Sequence, residues 1–386
     1  MIELRVPDED EWPRVAHADG RAFGGAFTDE EIARVRSTVE LDRFRIAVDG
    51  GDIVGAAGSY GFDMTLPGGR AVSTGGVTWV SVAVTHRRQG LLRRMMNAVH
   101  DDIDGRGEPL AALTASEGGI YERFGYGIAT RVRMTTIDRR VAALRSELNT
   151  PSGEVRVVDP VVALDEIAAV WDRFRTRRAG ELTRTSAWWL ALFADMGGAA
   201  THLLHPDGYA AWQPAAHWND GHPAHEMTLW TMAAVTPEAH RALWQTILAS
   251  DLYGPVQSRK IPIDDPLPFL LSNQRALRTT DLNDGVWCNV RDVKACFGAR
   301  VYGADDDVVV EAGGRRWRLG PAGVSRVRKR ADVVTDHAGL SALLLGGVAP
   351  TTLAAGRRLE ARSADALRRA DALFVVHPAP HCQTGF

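Results

Sequence analysis

Val77-Thr78-Trp79-Val80-Ser81-Val82-Ala83-Val84-Thr85-His86-Arg87-Arg88-Gln89-Gly90-Leu91-Leu92-Arg93 is the stretch on which the reading of this chain turns. Its first eight residues are rich in β-branched and aromatic side chains and predict a buried strand. A short basic turn with one glycine follows. Leu91, Met95, Val99 and Ile103 then recur every four residues, with Leu92 and Met96 beside them, the pattern of a helix with one apolar face. A strand, a tight basic-glycine turn and a helix start together form an anion site. First-turn amides point outward, the macrodipole favours negative charge, and Gly90 lets a phosphate approach the backbone. Arg87 and Arg88 add charged donors suited to phosphate oxygens.

A basic turn before a helix also describes a plain solvated helix start. Two further features sharpen the reading: the spacing Val84-x-x-x-Arg88-x-Gly90-Leu91, and a later segment Ile120-Tyr121-Glu122-Arg123-Phe124-Gly125-Tyr126. Together they resemble the acetyl-coenzyme A site of the GNAT superfamily of N-acetyltransferases, although Leu92 stands where a small residue is commonest. Val82 to Arg93, the run Ala115-Ser116-Glu117-Gly118-Gly119-Ile120-Tyr121 and a chain ending in Phe386 are similar to one subgroup, the Eis acetyltransferases. The likeness covers nearly the whole chain.

A length of 386 residues calls for two or three domains. With 45% hydrophobic and 24% charged residues the composition is that of an ordinary globular protein. The net charge of −3 gives no reason to expect nucleic acid or an anionic membrane as partner. Met1 to Arg5 lacks the charged-then-apolar build of a signal peptide and no window reaches membrane length in apolar residues, so neither a leader nor a membrane span is expected. Cys288, Cys296 and Cys382 are odd in number and lack metal-ligand spacing, so no disulfide framework and no metal site is expected, in a reducing, cytoplasmic setting.

Along the chain, Glu3 to Val6 reads as a first strand and Asp8 to Gly20 as a helix capped by Asp8. Arg45–Val48, Ile53–Tyr60 and Ala71–Ser73 read as meandering strands, and Leu110–Ala115 as a parallel one. Thr150-Pro151-Ser152-Gly153 looks like a boundary. Beyond it the order of elements repeats. Met227–Val235 parallels Val77–Val84, and Thr236-Pro237-Glu238-Ala239-His240-Arg241 stands where the basic turn stood. Ala239 answers Arg88, Arg241 answers Gly90, and Glu238 brings a carboxylate, so this second copy is expected to bind no coenzyme A.

The resemblance implies an α/β (α+β) protein of tandem GNAT domains, the second degenerate, plus a sterol-carrier-like α+β domain. The divisions fall at residues 1–150, 151–284 and 285–386. The third region contributes short strands at Val286–Val290, Asp307–Glu311 and Arg315–Leu319, and helices near Leu340–Leu345 and Ser363–Phe374.

Acetyl transfer from a thioester to an amine needs oxyanion donors, a proton for the leaving thiolate, and deprotonation of the ammonium. By resemblance the donors are backbone N–H groups of Val80, Ser81 and Val82, with Val82 foremost. The acetyl-coenzyme A residues are these three with Arg87, Arg88, Gln89, Gly90, Leu91, Leu92, Arg93, Ser116 and Glu117. Glu117 reads equally well as a capping residue. Tyr121 is the candidate acid. A phenol at pKa ~10 protonates a thiolate at ~8.5 only uphill, by about 2 kcal/mol, so its proton is expected to move late. Tyr126, His86 and the pair Asp101-Asp102 are read as packing, phosphate-side or surface, and solvated residues respectively.

The resemblance also assigns the base to the carboxylate of Phe386. An α-carboxylate at pKa ~3.5 is a weak base, better suited to holding an ammonium and relaying its proton through water. The subgroup further implies a homohexamer and aminoglycosides or related polyamines as acceptors. This chain departs from that substrate pattern, with Gly25, Val35, Thr114 and Gly385 where the aminoglycoside-modifying members have acidic residues, a tryptophan and a histidine. Asp29, Glu30 and Glu31 are acids that could compensate. The activity expected is N-acetylation of primary amines. A non-catalytic acyl-coenzyme A or lipid carrier, or a protein lysine acetyltransferase, remains a rival.

Overall fold

A computed structural model describes residues 2–148 and 154–386, so the boundary read at Thr150–Gly153 lies outside the described residues. The chain opens with strand β1 (Glu3–Arg5), helices α1 (Trp12–Ala22) and α2 (Asp29–Arg36), and strands β2 (Arg45–Asp49), β3 (Asp52–Thr65) and β4 (Ala71–Val82). Helix α3 (Leu91–Gly105) and strands β5 (Leu110–Thr114), β6 (Gly127–Ile128) and β7 (Arg131–Asp138) follow. Asp8 does start the first helical segment, its backbone N–H donating to Glu11 at 3.0 Å. The apolar face read for α3 is buried, Leu91, Met95, Met96, Val99 and Ile103 packing against β3 and β4.

The sequence suggested separate strands at Ala71–Ser73 and Val77–Val84. They form one strand, because Gly75 and Gly76 lie in its middle rather than in a turn. A Cβ on Gly75 would stand 2.5 Å from the Ile103 side chain, and one on Gly76 2.5 Å from Phe62. Here glycine serves close packing across a sheet. The far end is also corrected: the strand stops at Val82, and Val84 is 72% exposed in a short 3-10 turn, Val84–His86.

Sheet pairing departs from chain order. The first seven-stranded sheet runs β1-β2-β3-β4-β5, then Val286–Val290, then β6. Val286–Val290, read as the first strand of the third region, thus lies antiparallel between β5 and β6 in the first module. In return β7 leaves the first module and pairs with Tyr253–Ile261 and Leu277–Asp284 in the second seven-stranded sheet. Cuts after residues 150 and 284 therefore do not follow the sheets. Hydrogen-bond partners of a short apolar strand are not written in its own periodicity.

The remaining part is a five-stranded sheet of Val308–Ala312, Arg315–Leu319, Ser325–Arg326, Val333–Thr335 and Leu359–Ala361, with helices His337–Leu343 and Ala364–Phe374. Its core runs without a break into that of the first module, from Trp12 and Phe62 to Leu343 and Phe374. Among the described residues no helix is long and apolar enough to cross a membrane.

Candidate active site

β4 carries the site because it parts from both neighbours. Opposite β3 the register passes from Gly58↔Thr78 to Ala56↔Ser81, so Trp79 and Val80 share one partner position, and Trp79 adopts φ 53°. That is a β-bulge, which bends the strand. On its other edge β4 pairs with β5 only at Thr74, Gly75 and Gly76. From Val77 onward the two strands diverge and leave a wedge. Ala83 N–H donates to Val54 on β3 at 2.9 Å, so strand alternation turns the Val82 N–H toward the wedge.

The turn after β4 is shaped for an anion. Arg88 has φ 64° and Gly90 has φ 79°, placing two left-handed residues just before α3. Such alternation gathers successive N–H groups into a concave nest. Gly90 has no side chain to cap the helix, so the amides of Leu91, Leu92 and Arg93 keep no intrahelical acceptor. A cleft of about 760 Å³ opens here. Val80, Ser81, Val82, Arg87, Arg88, Gly90, Leu91, Leu92, Arg93, Ser116 and Glu117 all line it. Gln89 does not, its side chain folding back to donate to the Thr85 carbonyl at 3.3 Å. His86 lines the rim and faces Asp49 at 3.2 Å. Four arginines (Arg87, Arg88, Arg93 and Arg123), helix-start amides without intrahelical acceptors and an apolar trough fit a nucleotide diphosphate with a long thioester arm.

Tyr121 stands where this cleft meets a second one. It is 5% exposed, with its ring edge-on to Tyr126 at 6.1 Å. Burial, and then the charge of Glu117, push its hydroxyl above the usual phenol range, while a hydrogen bond with Ser116 acts the other way. The proton is therefore held at neutral pH. Tyr126 is fully buried and hydrogen-bonds His100 at 2.9 Å, as a packing residue should. Asp102 is not simply solvated, since it pairs with Arg45 at 3.0 Å and Arg106 at 2.7 Å.

The second cavity, of about 410 Å³, is lined by Asp19, Phe23, Phe27, Trp79, Thr114, Tyr121 and Phe386 among others. Phe386 arrives on a tail that threads between the modules. His381 N–H donates to Ala179, Gln383 N–H to the buried Glu181, and Arg184 to Thr384. Gln383 also takes both backbone groups of Met232, accepting from its N–H at 3.0 Å and donating to its carbonyl at 2.8 Å. Met232 lies where His225–Ala234 has ceased to pair with Tyr253–Ile261, the counterpart in the second module of the wedge beside β4. The tail thus fills the degenerate site. There the helix Pro237–Leu248 is capped directly by Thr236, which accepts from Ala239 N–H at 3.2 Å, leaving no glycine nest.

Asp19 escaped the sequence reading. It is 7% exposed, one of its oxygens has no hydrogen-bond partner, and a hydrogen bond with Ser81 only partly offsets the burial that pushes its carboxyl up to about 6. A signal was available: Trp12, Val15, Ala16 and Asp19 share one buried face of α1, and a carboxylate in an apolar stripe is out of place there. Of the acids read as compensating for Gly25, Asp29, Glu30 and Glu31 all sit in the first turn of α2, outside the cavity lining. The missing aromatic wall is likewise replaced from other positions, Phe27 stacking on Trp79 at 5.6 Å.

Comparison with known proteins agrees with this architecture. Residues 3–129 and 180–292 each match an acetyltransferase (GNAT) domain, and residues 304–383 a sterol carrier protein domain. The chain is 35% identical to the N-acetyltransferase Eis of Mycobacterium tuberculosis, over 97% of this chain and 96% of that protein. It is 33% identical to an uncharacterized N-acetyltransferase of Streptomyces avermitilis, over 100% and 99%. The crystal structure of Eis1 from Mycobacterium abscessus superposes with a TM-score of 0.90 at 32% identity, covering all of both chains.

Proposed function

This chain belongs to the Eis family of GNAT N-acetyltransferases, and on that premise we propose that it acetylates small primary amines with acetyl-coenzyme A as donor. The observation that carries the reading is Tyr121 set at the junction of an anion-binding cleft and an acidic, aromatic cavity. Acetyl-coenzyme A supplies the acyl group as an activated thioester. The amides of Leu91 to Arg93, with Arg87 and Arg88, hold its diphosphate. Val82 N–H donates to the carbonyl oxygen on which charge develops. The Phe386 carboxylate receives a proton from the acceptor ammonium, through water, and passes it to solvent. Tyr121 gives its hydroxyl proton to the departing sulfur and is refilled by the proton that nitrogen releases as the amide forms. Nitrogen–carbon bond formation and carbon–sulfur bond cleavage then balance with one proton released.

Family membership also supports a cytoplasmic homohexamer; light scattering of the purified protein tests the oligomeric state, and cell fractionation the location. The activity is tested by thiol release from acetyl-coenzyme A with aminoglycosides, polyamines, arylalkylamines and lysine peptides. Release with at least one small amine is expected. Release with none of the small amines, or with lysine peptides alone, overturns the reading.

A further inference from the structure

We propose that Asp19 is the residue that binds the acceptor's ammonium, and that the acceptor is a compact primary amine on an apolar or aromatic body. This rests on the acetyltransferase reading above and narrows its substrate class. Asp19 reaches the cavity from α1, opposite the strand that carries Val80 and Ser81. Its unpartnered, buried carboxylate oxygen is an acceptor that the protein itself leaves unsatisfied. Such a group is costly unless a ligand supplies the missing donor. An ammonium carries three donors and the opposite charge.

The surroundings define what travels with that ammonium. Among the lining residues no Lys, Arg or His stands beside Asp19, and the only other carboxylate there is that of Phe386. The walls are Phe23, Phe27, Val77, Trp79, Leu113 and the Phe386 ring. Trp79 lines the cavity with its N–H already taken by the Tyr60 hydroxyl at 3.2 Å and Phe27 stacked on its ring at 5.6 Å, so together the two rings offer apolar and aromatic surface but no donor. An aromatic face favours a cation near it and an apolar body against it. A polycationic aminosugar fits poorly. It would bring more ammoniums than there are carboxylates, and would desolvate its hydroxyls against rings that cannot hydrogen-bond them.

The test is calorimetric titration of phenethylamine and of kanamycin into the full-length protein, wild type, Asp19→Asn, Asp19→Glu and the α2 control Asp29→Asn. Thiol release with acetyl-coenzyme A is followed on the same proteins. Expected is phenethylamine binding at least tenfold tighter than kanamycin. Asp19→Asn should weaken it roughly thirtyfold, the loss of one charged hydrogen-bonded contact. Asp19→Glu should recover part of the loss, Asp29→Asn should match wild type, and the KM for acetyl-coenzyme A should stay unchanged. Binding that survives Asp19→Asn, or a wild type that prefers kanamycin, overturns the proposal. Binding that depends on Asp19 without any thiol release supports the ammonium site and overturns the acetyltransferase reading instead.

Discussion

The Thr114 hydroxyl donates to the main-chain oxygen of Phe386 at 3.0 Å, joining the end of β5 to the last residue of the sequence across 272 positions. Thr114 ends β5 two residues beyond Ala112, where the β4 pairing stops, and the Phe386 ring packs on Phe62 at 5.3 Å. The wedge proposed above to take the thioester therefore also fixes the tail. Thr114→Val should leave the fold intact and lower kcat/KM for the amine about tenfold, as expected for one hydrogen bond to a charged group. Deletion of Phe386 should lower turnover roughly a hundredfold or more. Steady-state kinetics on both variants checks this, and an unchanged rate after deletion would return Phe386 to plain packing.

Tyr121→Phe removes the hydroxyl and keeps the ring against Tyr126. A fall in kcat of about 10²-fold is expected with little change in the KM for acetyl-coenzyme A. Because the phenol is held above its usual range by burial and by Glu117, the wild-type rate should show no loss on the alkaline side up to about pH 10 from this group. A pH–rate profile reads this directly.

Gly90→Ala tests the anion nest. No atom lies within 4 Å of the added Cβ, so the cost is backbone strain at φ +79°, about 1–2 kcal/mol. The methyl group also enters the face that a phosphate would approach. The KM for acetyl-coenzyme A should rise about tenfold while the KM for the amine holds, and fluorescence titration of coenzyme A should show the same weakening.

Asp19 predicts a conflict between binding and stability. Its carboxyl is pushed up to about 6 from the usual 3.8 by burial, so folding favours the neutral form. Stability from this group is fully present below about pH 4 and is lost as pH rises through about 6. Asp19→Asn should therefore melt higher than wild type at pH 7.5, by up to about 3 kcal/mol, with the difference vanishing near pH 4. Calorimetric melting at the two pH values distinguishes this from a substitution that merely damages the fold.

Gln383→Ala removes three hydrogen bonds, two to Met232 and one from the Thr231 hydroxyl. It also leaves the Met232 backbone groups without their partner in the second wedge. A loss of about 2–4 kcal/mol is expected, with kcat falling because Phe386, three residues on, is no longer held. Chemical denaturation and turnover should fail together, and a stable variant with normal kcat would uncouple the tail anchor from the site.

The sequence alone was enough to place the cleft before α3. A β-branched run, a basic turn with Gly90 and a four-residue apolar period are local patterns, and each has a local physical cause. Eleven of the twelve residues assigned to that cleft line it, and the exception, Gln89, differs only in where a flexible surface side chain turns. The loss of that chemistry around Ala239 and Arg241 was equally visible, because a missing glycine is a local fact. What only the tertiary structure decided are the long-range pairings. Val286–Val290 crosses into the first sheet, β7 into the second, and Gln383 into the vacated wedge. None of these partners leaves a trace in its own spacing, since a strand's edge groups accept any strand of matching register. Asp19 falls between the two: its place on an apolar helix face was there to read, but its charge acquires meaning only when β4 bends at Trp79 and closes a cavity over it.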